Sequence, residues 1–122
     1  MEERRRLSPA ALRAFFNIME KWEVRDEDAR QLLGGVSNGT YYQMKDNSQR
    51  VLDQDRLQRI SYLIGIFKAL NILYGTKLAD KWMQLENTNP IFTGRTPLTY
   101  MLQGGTPAMG IVRRLLDARR GG

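Results

Sequence analysis

Three groups of side chains in this sequence carry residue types that recognition or catalysis can use. The first is Asn38, Thr40, Tyr41 or Tyr42, Gln43 and Lys45, with Arg50, Arg56 and Arg59 just beyond. On a helix entering a major groove N-terminus first, these side chains would meet base edges and phosphates. Asn and Gln amides suit adenine, the helix N-terminus favours a phosphate, and the arginines extend the backbone contact. The candidate DNA-binding set is Asn38, Thr40, Tyr42, Gln43, Lys45 and Arg50. Only Lys45 is basic within the short stretch itself, and two helices around a glycine turn also describe a plain packing hairpin.

The second group is Arg113, Arg114, Arg119 and Arg120, close to the last residues. Read alone, it is a solvated face with charges that suit a helix C-terminus. The third is a pair of carboxylate doublets, Asp53 with Asp55 and Glu27 with Asp28. Each fits the favourable charge at a helix start better than an acid–base site. The chain has no cysteine and no histidine. That removes thiolate nucleophiles, imidazole bases and the usual zinc ligands. No glycine-rich phosphate loop or metal spacing is present, so the expectation is a non-enzyme without metal or cofactor.

The 122 residues suit one compact domain or two small units sharing a core, and 42% hydrophobic content is enough to fold it. A net charge of +6 and a pI near 10.0 favour an anionic partner, whether nucleic acid or an acidic protein face. The first residues lack the apolar run of a secretory signal, and no transmembrane segment is evident, so cytoplasmic location is the default expectation.

These groups need elements to hold them, and the organising one is the block from Leu57 to Tyr74. It is interrupted only by Ser61, Gly65, Lys68 and Asn71 after Ile60, which share one helical strip. A helix apolar over the rest of its circumference must be covered on several sides. Asp53 is its candidate cap and Gly75 its stop.

Before it, Ser8 as cap, Pro9 at the first helical position and a Leu7–Leu12 staple predict a helix to near Glu23, after a frayed tip from Met1 to Arg6. Leu12, Phe15 or Phe16, Met19 and Trp22 form its core stripe. Asp26 then caps a short helix that buries Ala29, Leu32 and Leu33 and stops at Gly34-Gly35. Ser37 or Asn38 opens a third through about Lys45, and Asp46-Asn47-Ser48 is turn chemistry. Residues 26–45 therefore match a helix-turn-helix.

After Gly75, Thr76 opens a helix with Leu78, Trp82 and Leu85 on one face and Ala79 and Met83 beside it. Asn87-Thr88-Asn89-Pro90 breaks it, and Ile91 and Phe92 tuck under a loop. Thr96-Pro97 and Thr106-Pro107 each start a helix, the first to about Gln103 and the last to about Arg119, parted by Gly104-Gly105. Trp22 and Trp82 read as core. The fold class is all-α: an N-terminal helical region (1–52) with the helix-turn-helix, and C-terminal helices (53–122) packed around the central hydrophobic helix.

Asn89-Pro90-Ile91-Phe92-Thr93-Gly94-Arg95-Thr96-Pro97-Leu98, then Thr106-Pro107 and Val112-Arg113-Arg114-Leu115-Leu116, resembles the signature of the toxin-binding domain in antitoxins of the Xre/MbcA/ParS group. The resemblance covers residues 55 to 120, and a helix-turn-helix precedes it in the order that group uses. It implies a type II antitoxin that silences a RES-domain toxin acting on NAD, by degradation or ADP-ribose transfer. It also implies repression of its own operon, usually as a homodimer on operator DNA. In the group the C-terminal helix and tail lie against the toxin and obstruct its NAD pocket. Carried onto this chain, that points to Arg113, Arg114, Arg119, Arg120, Gly121 and Gly122. Guanidinium groups there would suit carboxylates lining a nucleotide pocket. Arg95 is expected to hold loop carbonyls. The competing expectation is a helix-turn-helix repressor whose C-terminal half serves only dimerisation.

Overall fold

A computed structural model describes residues 2–47 and 50–121, and among these residues the chain is helical with no strand. Met1, Ser48 and Gly122, which figure in the expectations above, lie outside the described residues. The elements are α1 (Glu2–Lys21), α2 (Asp26–Leu32), α3 (Asn38–Asp46), α4 (Gln54–Trp82), a 3-10 turn (Pro90–Phe92) and α5 (Pro97–Arg119). Both long helices are broken by a glycine outside helical geometry: Gly75 (φ 74°, ψ 164°) in α4 and Gly105 (φ 66°, ψ −150°) in α5. These are the stops read from the sequence, because glycine adopts positive φ without a steric penalty.

The first half of α4 is the middle of the molecule. Ile60, Leu63, Ile66, Ala69 and Leu70 are fully buried between Leu12, Phe15 and Ile18 of α1 and Met109, Val112 and Leu116 of α5. Its cover is less complete than the composition suggested, since Ile72 stays 64% exposed. On the polar strip, Ser61 and Lys68 face solvent but Gly65 is buried. Asp53 caps the helix as expected, accepting from the Arg56 N–H at 2.9 Å.

Two local expectations are corrected. The first helix begins at Glu2, not at Pro9, so Pro9 lies inside it. Glu2 and Glu3 suit the N-terminal dipole, whereas Pro9, inside the helix, removes one backbone bond and crowds the Arg5 carbonyl. The Ser8 hydroxyl donates to the Arg4 carbonyl and accepts the buried Leu52 N–H at 2.8 Å, so it ties α1 to the segment before α4 rather than capping. After Gly75, the face turned inward is Ala79, Trp82 and Met83, while Leu78 and Leu85 are 46% and 48% exposed. The Met83 carbonyl accepts the Leu98 N–H at 3.0 Å, which fixes that face against the start of α5.

Candidate functional site

The helix-turn-helix is built by α2, α3 and the glycines between them. Gly34 (φ 96°) and Gly35 (φ 88°) both take left-handed backbone, and the Gly35 N–H returns to the Arg30 carbonyl at 3.0 Å. This closes α2 in the manner of a Schellman turn. Arg30 donates from Nε to the Val36 carbonyl at 3.1 Å and holds the turn from the other side. Ser37 then caps α3, accepting the Thr40 N–H at 3.2 Å and donating to Thr40 Oγ1 at 3.0 Å. Tyr41 and Met44 anchor α3 in the core, with the Tyr41 ring edge-on to Phe16 at 5.4 Å.

Asp26 does not cap α2, whose N-cap position is Arg25 with no side-chain cap bond. Its carboxylate accepts the Tyr42 hydroxyl at 2.6 Å and the Tyr41 hydroxyl at 3.1 Å, with Lys45 Nζ 3.7 Å away. The Tyr42 hydrogen bond, helped by Tyr41 and Lys45 and opposed by desolvation, holds the Asp26 carboxyl below the usual aspartate range. Burial, then Asp26, pushes the Tyr41 phenol up, and the bond to Asp26 pushes Tyr42 up. No local rule signals this joint, since its partners are 15 and 16 residues apart.

The structure therefore divides the DNA-binding candidates. Tyr42 and Lys45 are exposed but turned towards α2, on Asp26. Thr40 sits in the cap with Ser37. Asn38 and Gln43 are exposed on α3, and Arg50 Nη1 donates to Gln43 Oε1 at 3.3 Å, so these two form one polar unit. Beside the α3 N-terminus a polar cleft of about 420 Å³ is walled by Ser37, Thr40, Arg50, Asp53 and Arg56. Arg59 is mostly covered, pairing with Asp55 at 2.9 Å and donating to the Leu32 carbonyl at 3.4 Å.

At the other end, the Asn89–Leu98 segment is a braced loop. Asn89 caps the 3-10 turn by accepting the Ile91 N–H at 3.1 Å, and Phe92 is buried between Trp82 and Tyr100. Thr93 and Gly94 take positive φ (49° and 83°). Arg95 spans the bend: Nε donates to the Phe92 carbonyl at 2.9 Å, Nη1 to Gln103 Oε1 at 2.6 Å, and the guanidinium lies 5.1 Å from the Tyr100 ring centre. It holds a loop carbonyl, as expected. Thr96 caps α5, accepting the Thr99 N–H at 3.1 Å.

The C-terminal arginines point in different directions. Arg113 lies across α4, donating to the Ser61 carbonyl at 3.4 Å and to Asp117 at 3.2 Å. It fits only because Gly65 lacks a Cβ, which would come within 2.2 Å of the guanidinium. Arg119 donates to the Tyr74 hydroxyl at 3.0 Å, and Arg120 pairs with Asp117 at 3.5 Å. Arg114 is exposed, and Gly121 takes left-handed backbone (φ 89°) beyond α5. Among the described residues, Gln31 Nε2 reaches the Leu102 carbonyl at 3.0 Å, Gln84 Nε2 reaches the Trp22 and Glu23 carbonyls at 2.8 and 2.9 Å, and Thr106 Oγ1 reaches Asp55 at 3.5 Å.

A helix-turn-helix tied to a C-terminal helical unit defines the class: a regulator with a partner-binding half. Residues 2–65 match the antitoxin Xre-like helix-turn-helix domain, and residues 69–122 match the antitoxin Xre/MbcA/ParS C-terminal toxin-binding domain. The chain belongs to this antitoxin family, whose two domains are regulatory rather than catalytic, and a toxin is its partner. It is also 37% identical over 115 residues to the uncharacterized protein y4oB of Sinorhizobium fredii (strain NBRC 101917 / NGR234), covering 93% of this chain and 87% of that one. No solved structure matches it. Among the described residues no helix is long and apolar enough to cross a membrane.

Proposed function

We propose that this protein is the antitoxin of a type II pair whose toxin has a RES fold and acts on NAD, and that it represses its own operon as a homodimer in the cytoplasm. The observation that carries the reading is the toxin-binding match over 69–122, set on a loop whose residues Asn89, Phe92 and Arg95 are all used to shape it. In this reading residues 53–122 present the last turns of α5 to the toxin, with Arg113, Arg114, Arg119, Arg120, Gly121 and Gly122 as the contact set. Arg114 is the arginine best placed for a partner carboxylate, and Arg119 and Arg120 make only exposed bonds that a stronger partner can replace. The protein then acts by occlusion, with no catalytic group, metal or cofactor of its own.

Residues 1–52 carry the DNA-reading pair. Asn38 faces solvent at the leading end of α3 and the Gln43–Arg50 unit past its middle, while a polar cleft walled by Ser37, Thr40 and Arg50 lies where a phosphate can meet the helix N-terminus. Thr40, Tyr42 and Lys45 complete the surface. Tyr42 and Lys45 also tie α3 to α2 through Asp26.

Co-expression with the neighbouring gene product tests the reading. The expected result is growth arrest with falling cellular NAD from the neighbour alone, and relief of both by this chain. Arrest that this chain does not relieve would refute neutralisation. Relief without any NAD change beforehand would overturn the NAD-directed toxin while leaving the antitoxin role intact.

A further inference from the structure

We propose that Arg59 is a positioning residue for DNA reading: from α4 it holds the turn between α2 and α3, and so sets Asn38 at the head of α3 against the backbone-contacting arginines Arg50 and Arg56. The inference rests on the DNA-reading role given above to residues 1–52, and it names the side chain on which the accuracy of that reading depends.

In the sequence Arg59 follows Arg50 and Arg56 and reads as one more phosphate contact. Its surroundings give it other work. The side chain is 17% exposed, and its charge already lies on Asp55, Nε to Oδ2 at 2.9 Å. Nη1 donates to the Leu32 carbonyl at 3.4 Å. Leu32 is the last residue of α2, where backbone carbonyls lack a partner inside the helix. The Gly35 and Gly34 N–H groups meet the carbonyls of Arg30 and Gln31 at 3.0 and 2.9 Å. Arg59 meets the next carbonyl from outside, and a cation at a helix C-terminus is favourable. The Arg59–Asp55 pair lies directly on the turn: a Cβ on Gly34 would stand 3.3 Å from Arg59 Nε and 3.4 Å from Asp55 Oδ2.

The contact matters because the DNA face is built on two elements. Asn38 begins α3, four residues after Gly34, whereas Arg50 precedes α4 and Arg56 lies in its first turn. Asp26 ties α3 to α2, and Arg30 ties the turn to α2, but neither bond reaches α4. Ala29, Leu32 and Leu33 are buried, yet apolar contact is non-directional and leaves the angle of the pair open. The Gln43–Arg50 bond is exposed and easily exchanged with water. Arg59 makes the covered polar link, through a rigid planar fork, three residues beyond Arg56. A shift at this link changes the spacing between the group that reads a base and those that hold phosphate. Base hydrogen bonds are directional while attraction to phosphate is not, so sequence preference should suffer before overall affinity does.

Arg59→Met and Asp55→Ala in the full chain test the proposal, because they change the net charge in opposite directions. Fluorescence anisotropy compares binding to the duplex upstream of the chain's own gene with binding to a scrambled duplex of equal length. Melting curves and relief of toxin-induced growth arrest are measured alongside. In both variants the preference for the upstream duplex should fall by roughly 5- to 100-fold, the worth of one base contact. Binding to the scrambled duplex should change far less, and relief of growth arrest should persist. If Arg59 acts through charge alone, Arg59→Met weakens and Asp55→Ala tightens binding to both duplexes alike, which overturns the positioning role. If it is merely structural, melting temperature, preference and relief of arrest fall together, which overturns it too. Asp55 is 56% exposed, so Asp55→Ala decides the matter should Arg59→Met not fold. Unchanged preference in both variants also overturns the role. A wild type with no preference for the upstream duplex overturns the DNA-reading role itself, and leaves toxin neutralisation standing.

Discussion

Replacing Ser8 by alanine tests the joint that departs furthest from local sequence rules. The Ser8 hydroxyl is buried and accepts the N–H of Leu52, which is itself 2% exposed and 44 residues away. Removing the hydroxyl leaves that amide buried without a partner, at a cost of about 1–3 kcal/mol. Alanine returns up to about 0.5 kcal/mol of helix propensity at a position inside α1. The net loss should be about 0.5–3 kcal/mol, and with roughly 4 °C per kcal/mol for a chain of this size the melting temperature should fall by about 2–12 °C. Size alone does not separate this from a lost N-cap, which costs about 0.5–2 kcal/mol. Location does. Hydrogen exchange should show the Leu52 amide losing protection, with Ala10 and Ala11 unaffected, whereas a cap at Ser8 would expose Ala10 or Ala11. Pro9→Ala gives a second reading. Inside a helix proline is unfavourable, so this variant should gain stability, while at a helix start it would not. A Leu52 amide that stays protected in Ser8→Ala would refute the reasoning.

Four other outcomes are expected. Gly65→Ala should be neutral or stabilising by up to about 1 kcal/mol, because the gain in helix propensity outweighs the long Arg113–Ser61 bond lost when the guanidinium swings away; a large fall in melting temperature would show Arg113 to be a rigid wedge. Asp26 has its folded pKa lowered, so its contribution to stability is complete above the ordinary aspartate value and is lost as pH falls through the lowered one. Denaturation midpoints between about pH 5 and pH 2 should therefore drop less in Asp26→Asn than in the wild type, and parallel curves would contradict this. A Lys45→Ala, Arg50→Ala double variant should bind promoter DNA more weakly and with a flatter salt dependence, in a gel-shift series at several ionic strengths; unchanged affinity would move the DNA face elsewhere. Deleting residues 119–122 should weaken toxin inhibition more than it lowers the melting temperature, and equal losses would make the tail a structural part of the fold.

The chain's punctuation was readable residue by residue. Gly34-Gly35, Asp53, Gly75, Asn89-Pro90, Thr96-Pro97 and Gly105 each act within one helical turn, through backbone geometry that glycine and proline set or through a side chain bonding an amide close by. The apolar block from Leu57 to Tyr74 likewise fixed the central helix, because a length of that kind has few ways to leave water. What tertiary structure decided was where ambiguous polar groups go. Ser8 and Asp26 each sit where a cap is plausible, yet Ser8 bonds an amide 44 residues on and Asp26 two tyrosines on the next helix. Arg113 looked like solvated charge and instead lies over Gly65, with a partner 52 residues back. A polar side chain can satisfy itself locally or across the fold, and the difference is set by which neighbours packing brings within about 3 Å. Local spacing determines where a helix can stop, but only the folded neighbours determine which way its charges turn.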